Sequence, residues 1–370
     1  MWNRLSIRLR KIDGFLFFAF IILACLGFLA IYSVTLSQQA TDFLLFKKQL
    51  IAFGLGLCLF WFFLQADYRF LKGYHFIFYI CANLLLFAVL IFGETIRGTK
   101  GWFEFGTISF QPVEFAKICL IVFFASFFAK RSERLLNSRD IFLSFLLVLL
   151  PVSLVLFQPD TGSAILLLSI WGSLLLFSGI SLRSVLFLMG TGVLICLVAW
   201  VGFFAEYQKD RIRSVLDPLA DPQGQGYNVS QALIAIGSGQ WFGRGFGSGS
   251  QSQLHFLPES QTDFIFAVIA EELGFMGVLI IFAAFGTLFF RLARAIYFAK
   301  DPFASYLLFG IGALFFFQFL INIGMNLGLF PVTGITLPLV SYGGSSLVVS
   351  LILMGIVQGV ISSISFHQQV

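Results

Sequence analysis

The chain is a succession of long apolar stretches separated by short polar breaks. The apolar runs fall at 15–35, 49–65, 74–93, 113–129, 141–157, 162–179, 184–205, 264–290, 303–325 and 339–362. A helix needs roughly 20 apolar residues to cross a hydrocarbon layer, and these runs match that length. Their helical periodicity is weak, as expected when every face is apolar. The pattern predicts an all-α integral membrane protein of about ten transmembrane helices.

Composition supports the pattern. Of 370 residues, 59% are hydrophobic and only 11% are charged. Soluble domains carry about 25% charge, so a water-soluble fold of this length is excluded. The 50 phenylalanines suit lipid-facing helices. Residues 1–370 are expected to form a single polytopic membrane domain. Neither a separate soluble domain nor an inverted repeat of the transporter kind is visible.

The net charge of +5 bears on orientation and gives no reason to expect a nucleic-acid partner. Arg4, Arg8, Arg10 and Lys11 precede the first helix; Lys130, Arg131, Arg134 and Arg139 follow the fourth; Arg291, Arg294 and Lys300 follow the eighth. Short connections on the other side carry fewer, Lys47 and Lys48, then Arg97 and Lys100. The bias predicts N-in/C-in. The run from Phe15 to about Val34 is longer than a secretory signal core and lacks a cleavage pattern, so a retained helix is expected.

Two outer segments are more than connections. Residues 94–111 carry Arg97, Lys100, Trp102 and Glu104 among glycines. Residues 206–263 form a large extracytoplasmic loop between the seventh and eighth helices, rich in Gly, Ser and Gln. Loops of that length are usually functional or disordered. Trp241, Phe242, Phe246, Leu254, Phe256 and Leu257 argue against disorder in water. The loop is expected to fold back on the membrane surface, with short interfacial helices.

Charges inside a bilayer are costly, so each marks a functional hypothesis. Glu114 and Lys117 share a helix face, either as a structural ion pair or as a wall that handles an anion. Asp160, in FQPDTGSA, caps the sixth helix or lines the same cavity. Asp263 precedes the eighth helix, as a cap or as a general base. Glu271 and Glu272 face the interior, unless the helix begins after them. Ser341 to Gly344 serve close packing or a polar lining. The five cysteines and three histidines show no zinc or disulfide spacing. Neither a Walker A sequence nor a Gly-x-Ser-x-Gly elbow with a plausible His partner is present.

Five stretches in order, KGWFEFGTISFQPVEFAK, FQPDTGSA, RIRSVLDPLADPQGQGYNVSQALIAIGSGQWFGRG, SQSQLHFLPESQTDFIFAVIAEELG and LPLVSYGGSS, resemble the SEDS family (shape, elongation, division, sporulation). The likeness covers essentially the whole chain. The short N-terminal tail and Ser-Gln-Ser-Gln-Leu before FLPE resemble its elongation branch. Val113, Thr161 and Gln240 depart from the family's usual Ser, Leu and Gly. None of these removes a candidate catalytic group.

The resemblance implies a ten-helix glycosyltransferase of the bacterial cytoplasmic (inner) membrane. It would polymerise lipid II into peptidoglycan for lateral wall elongation and cell shape. Implied partners are lipid II and undecaprenyl diphosphate, membrane lipid, a class B penicillin-binding protein (the transpeptidase) and other elongation-complex proteins. Asp263 matches the family's essential loop aspartate and Trp102 its functional outer-loop tryptophan. Glu114 and Lys117 match the paired residues of the fourth helix, and Asp160 the Gln-Pro-Asp position. Lys100, Lys117, Arg211 and Arg213 are candidates to stabilise the diphosphate, as is a divalent cation. A lipid II flippase and a non-catalytic scaffold for the transpeptidase are the alternatives. The polar groups crowd toward the outer face, which argues against a path through both leaflets.

Overall fold

The computed structural model describes residues 12–36, 43–96, 98–106, 108–132, 136–202, 225–254 and 256–367, with Lys209 and Arg213. The predicted apolar runs are helices. They are α1 (Gly14–Leu36), α2 (Leu44–Gln65), α3 (Arg69–Phe92), α4 (Pro112–Ala129), α5 (Ser138–Leu156), α6 (Thr161–Phe177) and α7 (Leu182–Gly202). Two helices follow in the long loop, α8 (Gln225–Ser238) and α9 (Ser250–Gln253). Then come α10 (Ile265–Phe298), α11 (Pro302–Asn326) and α12 (Gly344–His367). Among the described residues, eight helices are long and apolar enough to cross a membrane: α1 to α5 and α10 to α12. Helices α6 and α7 occupy the sixth and seventh predicted positions.

One stretch departs from the all-α expectation. β1 (Glu94–Ile96), β2 (Thr99–Phe105) and β3 (Ile108–Phe110) form an antiparallel sheet in the order β1-β2-β3. Thr99, Trp102, Phe103, Phe105, Ile108 and Phe110 are strand-favouring types. Gly98 and Gly106 turn the chain with φ of 79° and 66°. Strands this short leave no mark in a pattern of long apolar runs.

Helix α4 is the centre of the bundle, with 89% of its residues buried. It packs against α3, α5, α6, α11 and α12. Helices α2 and α12 pack closely because Gly355 lets the Phe60 backbone approach where a Cβ would collide with it. Helix α1 is pinned at both ends. At its start, Asp13 caps the Leu16 amide at 3.1 Å, pairs with Arg291 of α10 and exchanges two main-chain bonds with Gln358 of α12. Toward its other end, Ser33 hydroxyl donates to Glu272 of α10.

Helix α10 runs past its predicted end, to Phe298, and it is broken inside. Gly274 leaves the helix at φ 64° and ψ −159°. A break frees carbonyls before it and amides after it, and in a membrane those groups must find partners within the protein. The loop supplies them. Arg244 and Gly245 amides donate to the Glu271 and Glu272 carbonyls at 3.0 and 3.1 Å. Phe275 and Met276 amides donate to the Gln240 and Trp241 carbonyls at 2.8 and 3.2 Å. Gly243, at φ 77°, lies where a Cβ would run into the Glu272 carbonyl.

Gly243→Ala and Gly274→Ala should therefore each cost about 1–3 kcal/mol. Gly286→Ala, on the same helix with open space around it, should be neutral or slightly stabilising. Thermal unfolding of detergent-solubilised protein, followed by size-exclusion recovery, checks the contrast.

Candidate active site

The polar chemistry converges on the irregular segment 331–343, between α11 and α12. Gly162 at the start of α6 packs on the Thr333 backbone. A Cβ on Gly334 would lie 3.9 Å from Asp263 Oδ2. The Ile335 carbonyl accepts from Asn322 Nδ2 at 2.8 Å, and the Thr336 and Ser346 hydroxyls pair at 3.0 Å. Gly27 of α1 lies against Val340 with no room for a side chain. The segment thus joins α1, α6, α11, α12 and the residues before α10.

Asp263 is half-buried and does not cap α10, whose N-cap position is Phe264 and lacks a side-chain cap. Its main chain is held from α11. Asn322 and Asn326 Nδ2 donate to the Asp263 carbonyl at 3.2 and 2.9 Å. Asn326 Oδ1 also accepts from the Ala267 amide at 3.2 Å, which ties the first turn of α10 to the same side chain. Both asparagines are fully buried. On the other side, Ser341 hydroxyl donates to the Thr262 carbonyl at 2.7 Å and accepts from the Leu337 amide at 2.9 Å. Tyr342 amide donates to the Gln261 carbonyl at 2.8 Å. Gln49 of α2 holds the Ser341 carbonyl and the Gly343 amide, both at 3.2 Å. Ser341 is buried, so in this structure it ties two segments together.

Lys117 Nζ donates to Glu114 Oε1 at 2.7 Å, and both side chains are buried. The pair closes on itself within α4. Asp160 caps α6 by accepting from the Ser163 amide at 2.9 Å. Its neighbour Gln158 donates to the Leu86 carbonyl at 3.2 Å and lies beneath Gly101 of the sheet. Trp102, on β2 opposite Glu94, is partly exposed. Lys100 is partly exposed and bonds the Ile91 carbonyl at 3.5 Å. The sheet is moored to α12, because Ser345 accepts from the Gln111 amide at 3.1 Å and donates to the Ser109 carbonyl at 3.2 Å.

Arg213 is exposed, and Arg211 lies outside the described residues. The large loop, residues 206–263, is described only in part; there α8 packs against α10 and α11. Glu271 and Glu272 are buried within α10. Glu271 accepts from the Gln251 and Ser252 amides at 2.8 and 3.1 Å. Glu272 accepts from Ser33 and from Gln253. Both carboxylates hold the loop down. Among the described residues, no group of three or more His, Cys, Asp or Glu side chains could hold a metal ion. The residues missed by sequence reasoning are Gln49, Asn322 and Asn326. The spacing of the two asparagines, one helical turn apart inside an apolar run, was a signal, since polar groups are rare there without a role.

Comparisons with known proteins agree in family. The FtsW/RodA/SpoVE model, described as a cell cycle protein, matches residues 14–365. The chain is 38% identical over 347 residues to the peptidoglycan glycosyltransferase MrdB of Escherichia coli, covering 92% of this chain and 91% of that one. It is 34% identical over 363 residues to the probable peptidoglycan glycosyltransferase FtsW of Haemophilus influenzae, covering 96% and 91%. A chain of a peptidoglycan synthase complex, solved for its coordination of polymerization and crosslinking, superposes with a TM-score of 0.80 at 33% identity, covering 95% and 98%. The rod shape determining protein RodA of Thermus thermophilus gives 0.71 at 32% identity, covering 95% and 96%. With the match running from α1 to α12, the chain belongs to the FtsW/RodA/SpoVE family, the SEDS proteins that its motifs resemble.

Proposed function

We propose that this chain is a peptidoglycan glycosyltransferase that polymerises lipid II for lateral wall elongation. It would span the bacterial cytoplasmic membrane ten times, with both termini inside. The reading is carried by its match, over nearly the whole chain, to relatives named for that activity.

The seat of Asp263 supports a direct displacement with that residue as base. The donor glycan carries undecaprenyl diphosphate on its anomeric carbon. The 4-hydroxyl of the incoming N-acetylglucosamine attacks that carbon from the opposite side, and the configuration inverts. The hydroxyl is a weak nucleophile, so its proton passes to the Asp263 carboxylate as the C–O bond forms. The bond from the anomeric carbon to the diphosphate oxygen breaks, and undecaprenyl diphosphate leaves. The two asparagine donors hold the Asp263 main chain, and Gly334 keeps the space beside its carboxylate clear of a side chain. Pre-set geometry of that kind lowers the barrier.

The leaving diphosphate needs positive charge. Lys100, Arg211 and Arg213 are the candidates. Lys117 is committed to Glu114, so the buried pair orients α4 instead. Trp102 and Asp160 stand on the sheet and the α6 cap that flank the 331–343 segment. An apolar cleft of about 510 Å³ runs from Tyr68 to Phe115, lined by Phe62, Phe63, Phe70 and Phe78 among others. Its apolar lining suits a hydrocarbon chain, and its wall at residues 62–71 lies at the α2–α3 turn. The elongation branch also implies a class B penicillin-binding protein as partner, with further elongation-complex proteins around it.

Purified protein with its transpeptidase partner, given lipid II in detergent, should yield long glycan strands on a gel. Asp263→Ala and Asp263→Asn should cut the rate about 100-fold or more without changing elution or thermal stability. Wild-type rates from a folded Asp263→Ala variant would remove the base assignment. Asn326→Ala should lower kcat about tenfold or more, since small misplacements are costly, with KM for lipid II little changed.

Lys117→Met alone should destabilise the protein by about 3–5 kcal/mol by stranding a buried carboxylate. Adding Glu114→Gln should restore most of that stability. If the double variant also polymerises lipid II, the pair serves helix position. Recovered stability without recovered activity would give it a substrate role.

A further inference from the structure

Helix lengths give the depth of the loop that enters the α10 break. From Asp13 to Ser33, α1 spans about 30 Å at 1.5 Å per residue, the thickness of a hydrocarbon core. Asp13 marks one boundary, where it pairs with Arg291. Ser33 marks the other, where it bonds Glu272 and Gln253. Counting back along α10, Gly274 lies about 26 Å from Arg291. The loop residues bonded to the break therefore lie at the membrane boundary and not above it.

The side chains at that level are apolar and uncovered. Trp241 is 64% exposed and Phe242 79%. Trp241 meets Phe275 edge to face at 5.2 Å, and Phe275 belongs to the exposed apolar face of α10, with Met276, Leu279 and Ile280. Phe246 stacks on Tyr32 of α1 at 6.1 Å. The patch continues the surface that α1 and α10 present to lipid. Arg244 lies between the aromatics, exposed, with its guanidinium 3.0 Å from the Ser250 hydroxyl.

We infer that Trp241, Phe242 and Phe246 form a wedge seated among the lipids of the leaflet on the Ser33–Glu272 side. Tryptophan favours the head-group boundary, and the two phenylalanines add apolar surface beside it. The wedge is fixed to the α10 break by four main-chain bonds, so lipid contact and the height of the loop are coupled. The same loop ends at Asp263. The occupant is lipid, because the patch is continuous with the lipid-facing surface, and the exposed Arg244 among its aromatics could pair with a lipid phosphate.

Tryptophan quenching tests this in the full chain, reconstituted in phosphatidylethanolamine–phosphatidylglycerol vesicles. The emission of wild type minus Trp241→Phe isolates Trp241. Acyl chains brominated near the head group should quench that component by about twofold or more, and aqueous iodide should quench it weakly. Phe242→Trp supplies a second probe at the same depth, with the same expected ranking. A Trp241 component open to iodide and indifferent to brominated lipid would overturn the proposal. So would shielding from iodide that appears only when the transpeptidase is added, which would assign the patch to a protein partner.

Discussion

Backbone that leaves a helix inside the protein must find its hydrogen bonds there, and the half of this molecule around Gly274 is built on that demand. The break at Gly274 turns the Glu271 and Glu272 carbonyls and the Phe275 and Met276 amides toward the loop. There they form four main-chain bonds with residues 240–245. Side chains at Gly243 or Gly274 would occupy the space those bonds require. The glycine-rich loop is therefore a fitted part of α10, and the buried carboxylates of Glu271 and Glu272 hold its remaining turns.

The same demand explains the polar residues near Asp263. The 331–343 segment has no regular structure, yet most of it is buried. Gln49, Asn322, Asn326 and Ser341 supply donors and acceptors that helix or sheet would otherwise provide. These bonds also set the Asp263 main chain against α11. Satisfying the backbone and positioning a carboxylate are accomplished by one set of contacts.

Much of this was legible along the chain. The apolar runs hold helices, eight of them long and apolar enough to cross a membrane among the described residues, and Glu114–Lys117 is paired on one helix face, as the three-residue spacing allows. Asp160 is the cap its neighbours suggested. The sheet at 94–110 leaves no such mark, because short strands lack the length signal that identifies a membrane helix. Asn322 and Asn326 carry no charge to mark them, since neutral amides cost less in a membrane but still demand partners. For Ser341, spacing left packing and a polar lining equally open, and only its two hydrogen bonds show that it joins two segments.

Alone, the sequence determined that this is a membrane protein of many helices. Hydrophobicity and helix length are local properties, so they can be read from consecutive residues. Its motifs also supplied the family resemblance. Tertiary structure decided where α10 breaks, what fills the break, and which amides hold Asp263. Those outcomes depend on hydrogen bonds between residues as far apart as Gln49 and Ser341, and such partners are chosen only when the helices pack.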